Sequence, residues 1–195
     1  MTDFTLTAPR IVLRRMQAAD APVLYAYRSL PEVARYQDWL PHDLDEVQGL
    51  ARAQADVEPG VPGSWLQLII ARRDDGEVVG DCGILFPAGA HASPELGIAL
   101  RPDHRSRGYA TCATRLMLEH LFDARKVHRV VARTDPRNLP SVAVLQRLGL
   151  RQEAHLRRSH WHRGQWVDDM VFAMLDEEWE RERKRLLAHC EDGGA

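Results

Sequence analysis

The chain of 195 residues is poor in cysteine. Cys82, Cys112 and Cys190 show no CxxC spacing. So sparse and odd a set excludes a disulfide scaffold and favours free thiols in a reducing cytoplasm. A catalytic Cys112 is the rarer reading, and a small buried apolar side chain the commoner one. Lysine is almost absent, with Lys126 and Lys184 against an arginine-rich remainder of the 26 basic residues. Genomic base composition accounts for such a bias, although the fixed donor fork of arginine also suits phosphate. Neither sign of charge dominates: 26 basic and 28 acidic side chains leave −2, which opposes a dedicated nucleic-acid binder but leaves room for a local basic patch. No apolar run approaches the ~20 residues that span a bilayer. The start, Met1 to Arg10, carries Asp3 and no apolar stretch, so it does not read as a signal peptide. Internal repeats and low-complexity linkers are absent as well. What remains, 45% hydrophobic and 28% charged, is an ordinary globular composition, and its length predicts one domain over 1–195.

Arg10 to Arg14 reads as a short strand. Asp20 then stands as an N-cap before a helical pattern through Leu24 and Tyr27. Tyr36 to His42 is a loop, and Asp43 to Asp56 a second helix, halted by Pro59, Gly60, Pro62 and Gly63. Trp65–Ala71 and Val78–Leu85 flank Asp74-Asp75-Gly76 as a hairpin. Glu95 to Leu100 is a further strand. After Gly108, Ala110, Ala113, Met117 and Leu121 form a helical stripe. Val130 to Ala132 form a short buried strand, and Pro140 to Leu148 a helix stopped by Gly149. Two strands, 151–162 and 165–174, surround Arg163-Gly164. A last helix, about 176–190, opens on Asp176, Glu177 and Glu178 and closes on basic residues, complementing its dipole. This order predicts a mixed α/β fold and excludes a regular doubly wound sheet.

The chemistry concentrates at Leu100–Thr111, where a strand runs through a basic loop into a helix. Unpaired N–H groups at a helix start, with Gly108 allowing close approach, suit an anion. A solvated basic turn is the alternative. Neither a P-loop nor a Gly-x-Gly-x-x-Gly fingerprint is present.

Arg105-x-x-Gly108-x-Ala110 resembles the pyrophosphate-loop signature of the GNAT superfamily of N-acetyltransferases. Asn138-x-x-Ser141-x-x-Val144-Leu145-x-x-x-Gly149 is similar to that family's second cofactor segment. The element order fits from about residue 8 to 179. Pro94–Ile98, Asp135–Asn138, Gly164–Asp168 and Glu178-Trp179 are most similar to the RimJ/RimL branch. The resemblance implies a mixed, mostly antiparallel sheet with helices on both faces, in which strands 95–100 and 129–134 splay apart. Acetyl-CoA would enter that gap as co-substrate, its pantetheine along Ile98 and Leu100. Its pyrophosphate would meet Arg105, Ser106, Arg107, Gly108, Tyr109, Ala110 and Thr111. Asn138 and Ser141 would lie near the pantetheine and thioester. The reaction implied is acetyl transfer to a primary amine, a protein N-terminus or a small molecule, by direct attack in a ternary complex, with no membrane or nucleic-acid partner. A homodimer is compatible with the resemblance.

Glu95, on the strand leading into the loop, is the candidate base; orienting the substrate ammonium or pairing an arginine is the equal alternative. Leu145 stands where many members carry a tyrosine acid, so Ser141 one turn earlier becomes the candidate acid, against a plain capping role. Tyr109 is a weaker candidate acid that more readily packs. Tyr36, Asp38, Trp39, Asp43, Trp161, Trp166 and Asp168 fall where the family holds its acceptor; Trp161 and Trp166 also suit a cross-strand core pair, and Asp168 a hairpin brace. His160 and His162 share a strand face, but no third ligand stands at a fitting spacing, so no metal is expected. Two rival readings stay open. A non-catalytic acyl-CoA-binding protein on the same fold would bind cofactor without turnover, and an RNA- or partner-binding module would show salt-sensitive binding without CoA.

Overall fold

Helices cover both faces of one open sheet. The computed structural model describes residues 4–89 and 91–191, with side chains through residue 184. Asp3 and the side chains of Leu186, Leu187 and Cys190 therefore lie outside the described residues. The strands are β1 (Thr5–Thr7), β2 (Ile11–Arg15), β3 (Ser64–Arg72), β4 (Val78–Phe86), β5 (Glu95–Leu100), β6 (Arg129–Thr134), β7 (Arg151–His162) and β8 (Gln165–Leu175). The helices are α1 (Ala21–Arg28), α2 (Pro31–Ala34), α3 (Leu44–Gln54), α4 (Tyr109–Glu119), α5 (Leu139–Arg147) and α6 (Asp176–Glu191). The strand order is β1-β2-β3-β4-β5-β6-β8-β7, antiparallel throughout except for β5 beside β6. This is the mixed α/β fold that the element order predicts, with the mostly antiparallel sheet that the resemblance implies. No helix among the described residues is long and apolar enough to cross a membrane.

Two buried clusters explain why β3 is nearly continuously apolar. Leu66, Leu68 and Ile70 pack under α4 and its neighbours with Met117, Leu121 and Phe172. Ile69 and Ala71 point the other way, against Leu24, Tyr27, Val47 and Ala51 of α1 and α3. A strand covered on both faces keeps no polar side.

Local signals explain the element ends. Asp43 caps α3, its Oδ1 accepting the Glu46 N–H at 2.9 Å. Gly149, at φ 84°, stops α5 in the left-handed region open to glycine. Arg163 and Gly164, at φ 46° and 81°, form the two-residue turn that suits the twist of the β7–β8 hairpin.

Several short elements were not anticipated, among them β1, α2 and a π-helical turn. β1 has three residues and α2 four, too few to show a period. The stripe after α4 continues through Leu121 in a π-helical turn, His120–Ala124. The capping role expected of Asp20 is corrected. Its carboxylate makes no cap bond to α1; it accepts from the Gln17 N–H at 2.8 Å and takes both arms of Arg14 at 2.7 Å. A bidentate, largely buried guanidinium is the stronger partner.

Candidate active site

The parallel pairing of β5 with β6 stops almost where it begins. Glu95 pairs with Val131 and Leu96 with Ala132, and from Gly97 onward the two strands separate. The remaining backbone of β5 therefore has one side open. Alternate residues of an antiparallel strand bond to the same neighbour. Arg101 N–H bonds Val79 O of β4 at 3.0 Å, so Ala99 and Gly97 share that side. Ile98 and Leu100 turn their N–H and C=O groups into the gap. The side-chain amide of Gln37 already reaches Ile98 O from across it, at 3.5 Å.

The gap widens into a cleft of about 1160 Å³ that ends at the start of α4. Ser106 and Gly108 both take left-handed backbone, at φ 60° and 79°. The serine pays about 1–2 kcal/mol of steric strain for it. The first intrahelical bond is Cys112 N–H to Gly108 O at 3.0 Å. The N–H groups of Tyr109, Ala110 and Thr111 thus precede the helical ladder and form, with the dipole, an anion-binding concavity. Arg105, Ser106, Gly108, Tyr109, Ala110 and Thr111 line the cleft, whereas Arg107 is exposed and outside its lining. The Tyr109 ring is buried in the core, with the Arg10 guanidinium 4.9 Å over it.

Opposite, α5 carries Asn138, Ser141 and Leu145 along the cleft wall. Asn138 supplies the cap, its Oδ1 accepting the Ser141 N–H at 3.4 Å. That leaves Ser141 Oγ without a protein hydrogen bond among the described residues. Leu145 is buried in the core beside it.

Glu95 lines the same cleft, 3.4 Å from Arg133 Nε through Oε2. Burial pushes its carboxyl above the ordinary value. Arg133 pulls it back, and the charges of Asp169 and Asp38 push it further up. Arg133 is shared, because its other arm holds Asp169 at 2.9 Å.

Tyr36, Asp38 and Trp39 line the mouth of the cleft. Tyr36 donates to Arg137 O at 3.3 Å, tying the loop before α3 to the turn before α5. Asp168 borders the cleft and also braces the hairpin, accepting from the Arg158 N–H at 2.9 Å and facing His155 Nε2 at 2.7 Å. Asp43, spent on its cap, does not line the cleft. Trp161 and Trp166 also differ from expectation. They pair across β7 and β8 with ring centroids 5.2 Å apart, but at 56% and 58% exposure on the outer face they are neither core nor cleft residues. His160 and His162 take the cleft side instead, and a third potential ligand, Asp38, meets them.

Spacing did not bring out a buried polar network behind the cleft. Asp81 of β4 is fully buried and accepts from the Tyr27 hydroxyl, from two nitrogens of Arg28 and from Gln67 Nε2 at 2.6 Å. Burial, then the Asp81 charge, holds the Tyr27 phenol protonated well beyond its usual range. Arg28 Nη1 continues to Gln37 Oε1 at 2.8 Å, and Gln37 to Ile98 O. Gln67 Oε1 accepts from the Trp65 indole at 2.7 Å. That ring lies so close to Gly83 and Gly97 that a Cβ there would sit 2.2 and 2.9 Å from it. The available signal was polarity out of place: Gln67 and Asp81 interrupt otherwise apolar strands.

The comparisons with known proteins agree with this geometry. The family described as an acetyltransferase (GNAT) domain matches residues 10–151. The uncharacterized N-acetyltransferase p20 of Bacillus licheniformis is 28% identical over 176 residues, spanning 90% of this chain and 98% of the relative. The uncharacterized N-acetyltransferase YnaD of Bacillus subtilis is 27% identical, spanning 89% and 98%. Among solved structures, Mycobacterium smegmatis RimJ in complex with CoA-disulfide superposes with a TM-score of 0.79 at 27% identity, covering 96% of this chain and 95% of that one. The match across 142 of 195 residues (10–151) makes this chain a member of the GNAT acetyltransferase family, whose enzymes take their acetyl group from acetyl-CoA.

Proposed function

We propose that the chain acetylates a primary amine, on a protein N-terminus or a small molecule, by direct attack on acetyl-CoA held between β5 and β6. The observation that carries this reading is the ladder that ends at Leu96. It frees the backbone of Ile98 and Leu100 for the pantetheine amides and leads to the N–H concavity at Gly108–Thr111, which suits a pyrophosphate. The RimJ structure bound to CoA-disulfide supports the same cofactor.

At neutral pH most of an alkyl amine is protonated, with a pKa near ~10. In the proposed reaction Glu95 accepts an amine proton, directly or through water, and the amine nitrogen attacks the thioester carbonyl. The C–N bond forms and the C–S bond breaks. The departing sulfur takes a hydrogen bond and then a proton from Ser141 Oγ. The serine recovers one through water from the acylated nitrogen, which sheds its second proton as it becomes the amide, and Glu95 releases the first to solvent. Its unused hydroxyl suits Ser141 to this role, since Leu145 cannot donate. Holding the two reactants together removes roughly 7–11 kcal/mol of barrier in favourable cases. The acidic mouth, with Asp38, Asp168 and Asp169 beside Tyr36 and Trp39, suits a cationic acceptor.

The test is release of CoA thiol from acetyl-CoA with peptides bearing a free N-terminus and with small amines, the product confirmed by its acetyl mass increment. Turnover on a primary amine supports the proposal. Cofactor binding without turnover on either class favours a non-catalytic acyl-CoA-binding protein. In the same assay Ser141→Ala should lower kcat and leave the acetyl-CoA KM nearly unchanged. A loss confined to KM would remove Ser141 from proton transfer.

A further inference from the structure

We propose that Asp38, His160 and His162 form a binding site for one divalent transition-metal ion of the zinc type at the mouth of the cleft. The two histidines stand two residues apart on β7 and therefore share a face, with ring centroids 6.1 Å apart and planes inclined by 30°. Asp38 comes from the loop before α3. Its Oδ1 lies 2.8 Å from His160 Nε2 and 3.4 Å from His162 Nδ1. The three donor atoms all lie within 4.8 Å of one another. Tetrahedral coordination at bonds of about 2.0–2.2 Å sets neighbouring ligand atoms roughly 3.3–3.6 Å apart. Side-chain rotations that open the 2.8 Å pair by about half an ångström, and that draw in by just over about 1 Å any pair at the 4.8 Å limit, reach that spacing.

A second observation concerns the far side of His162. This ring is buried, and its Nε2 lies 3.1 Å from the backbone carbonyl of Arg35. A carbonyl only accepts, so Nε2 carries the proton and, in the neutral ring, Nδ1 presents its lone pair toward Asp38 and His160. A metal-bound histidine is held in the same way, by a carbonyl that fixes tautomer and ring orientation. Two neutral imidazoles and one carboxylate give the site a charge of −1, which a dication offsets. Their nitrogen and oxygen donors favour zinc, copper, nickel or cobalt over calcium and magnesium. Three protein ligands leave a fourth position for water or another ligand. All three side chains line the cleft that holds Glu95, yet the metal site does not depend on the acetyl-transfer reading.

The experiment uses the full chain without a polyhistidine tag, stripped with chelator and titrated with zinc against a chromophoric competitor. Cobalt absorption provides a second readout. His160→Ala and Asp38→Asn alter side chains that are 44% and 75% exposed, so both variants should fold, as melting curves will verify. His42→Ala, on an exposed histidine paired with Asp43, is the control. The expected result is one zinc ion per chain and an intense tetrahedral cobalt band. Affinity should fall at least about 10-fold in His160→Ala and Asp38→Asn, since even outer-shell partners carry that much, and stay unchanged in His42→Ala. The proposal is overturned if zinc in excess does not bind. It is equally overturned if the two variants bind like the parent, or if His42→Ala loses as much as His160→Ala.

Discussion

Asp81→Ala should destabilise the fold by about 3–5 kcal/mol, because it leaves the Arg28 guanidinium buried without its counter-charge. For a chain of this size each kcal/mol shifts the melting temperature by about 2–4 °C, so a drop of roughly 6–20 °C is expected. Tyr27 and Gln67 lose a partner in the same step, and an unpaired buried polar group has its own cost. Removing both charges in Asp81→Ala/Arg28→Met should cost less than Asp81→Ala alone, since no orphaned charge then remains. A loss under about 1 kcal/mol in Asp81→Ala would show that water reaches Arg28 and that the network does not brace the fold. The consequence extends to the cleft. Arg28 holds Gln37, and Gln37 reaches Ile98 O, so the variant should also raise the acetyl-CoA KM.

Glu95→Gln should lower kcat by about 10²–10⁴-fold, the usual contribution of a positioned carboxylate base. The pH dependence gives the sharper readout. Burial raises the Glu95 pKa, so the group keeps its proton to a higher pH than an ordinary glutamate. In the parent, kcat/KM should fall as pH drops through that raised value, and in Glu95→Gln this acidic limb should vanish. The stability sign runs the other way. A carboxyl whose folded pKa is raised loses stability as pH rises from the ordinary value through the raised one. Glu95→Gln removes that loss, so its melting temperature at neutral pH should not fall, and lost activity cannot be ascribed to unfolding. An unchanged rate and profile would leave Glu95 only its pairing with Arg133.

Most of the fold was legible because its signals are local. The stop at Gly149 and the two hairpin turns each depend on a few neighbouring residues. Asp20 shows the limit: its sequence position suits a cap, but Arg14, six residues back, offers a stronger partner. That the basic loop and the start of α5 meet at one cleft was legible as well, Arg107 excepted, since each is a contiguous segment. The opposite mouth of the cleft was not, because it assembles from distant parts of the chain. Asp38 lies 122 residues from His160, and no spacing rule connects them. Trp161 could have been placed by parity alone. If His160 and His162 face the cleft, the residue between them faces away. Asp169, rather than its neighbour Asp168, shares Arg133 with Glu95, and the irregular register between β7 and β8 hides that choice from a simple alternation.

The central claim is that the splayed strands and the α4 start hold acetyl-CoA, and a thermal melt tests it most directly. The melt is run alone, with acetyl-CoA, with CoA and with ATP. Ligand at 100 times its dissociation constant stabilises by about 2.7 kcal/mol, which is roughly 5–11 °C for this chain. The account predicts that shift with acetyl-CoA and CoA and little with ATP, which lacks the pantetheine arm that Ile98 and Leu100 would bind. No shift at millimolar acetyl-CoA, or an equal shift with ATP, would contradict it.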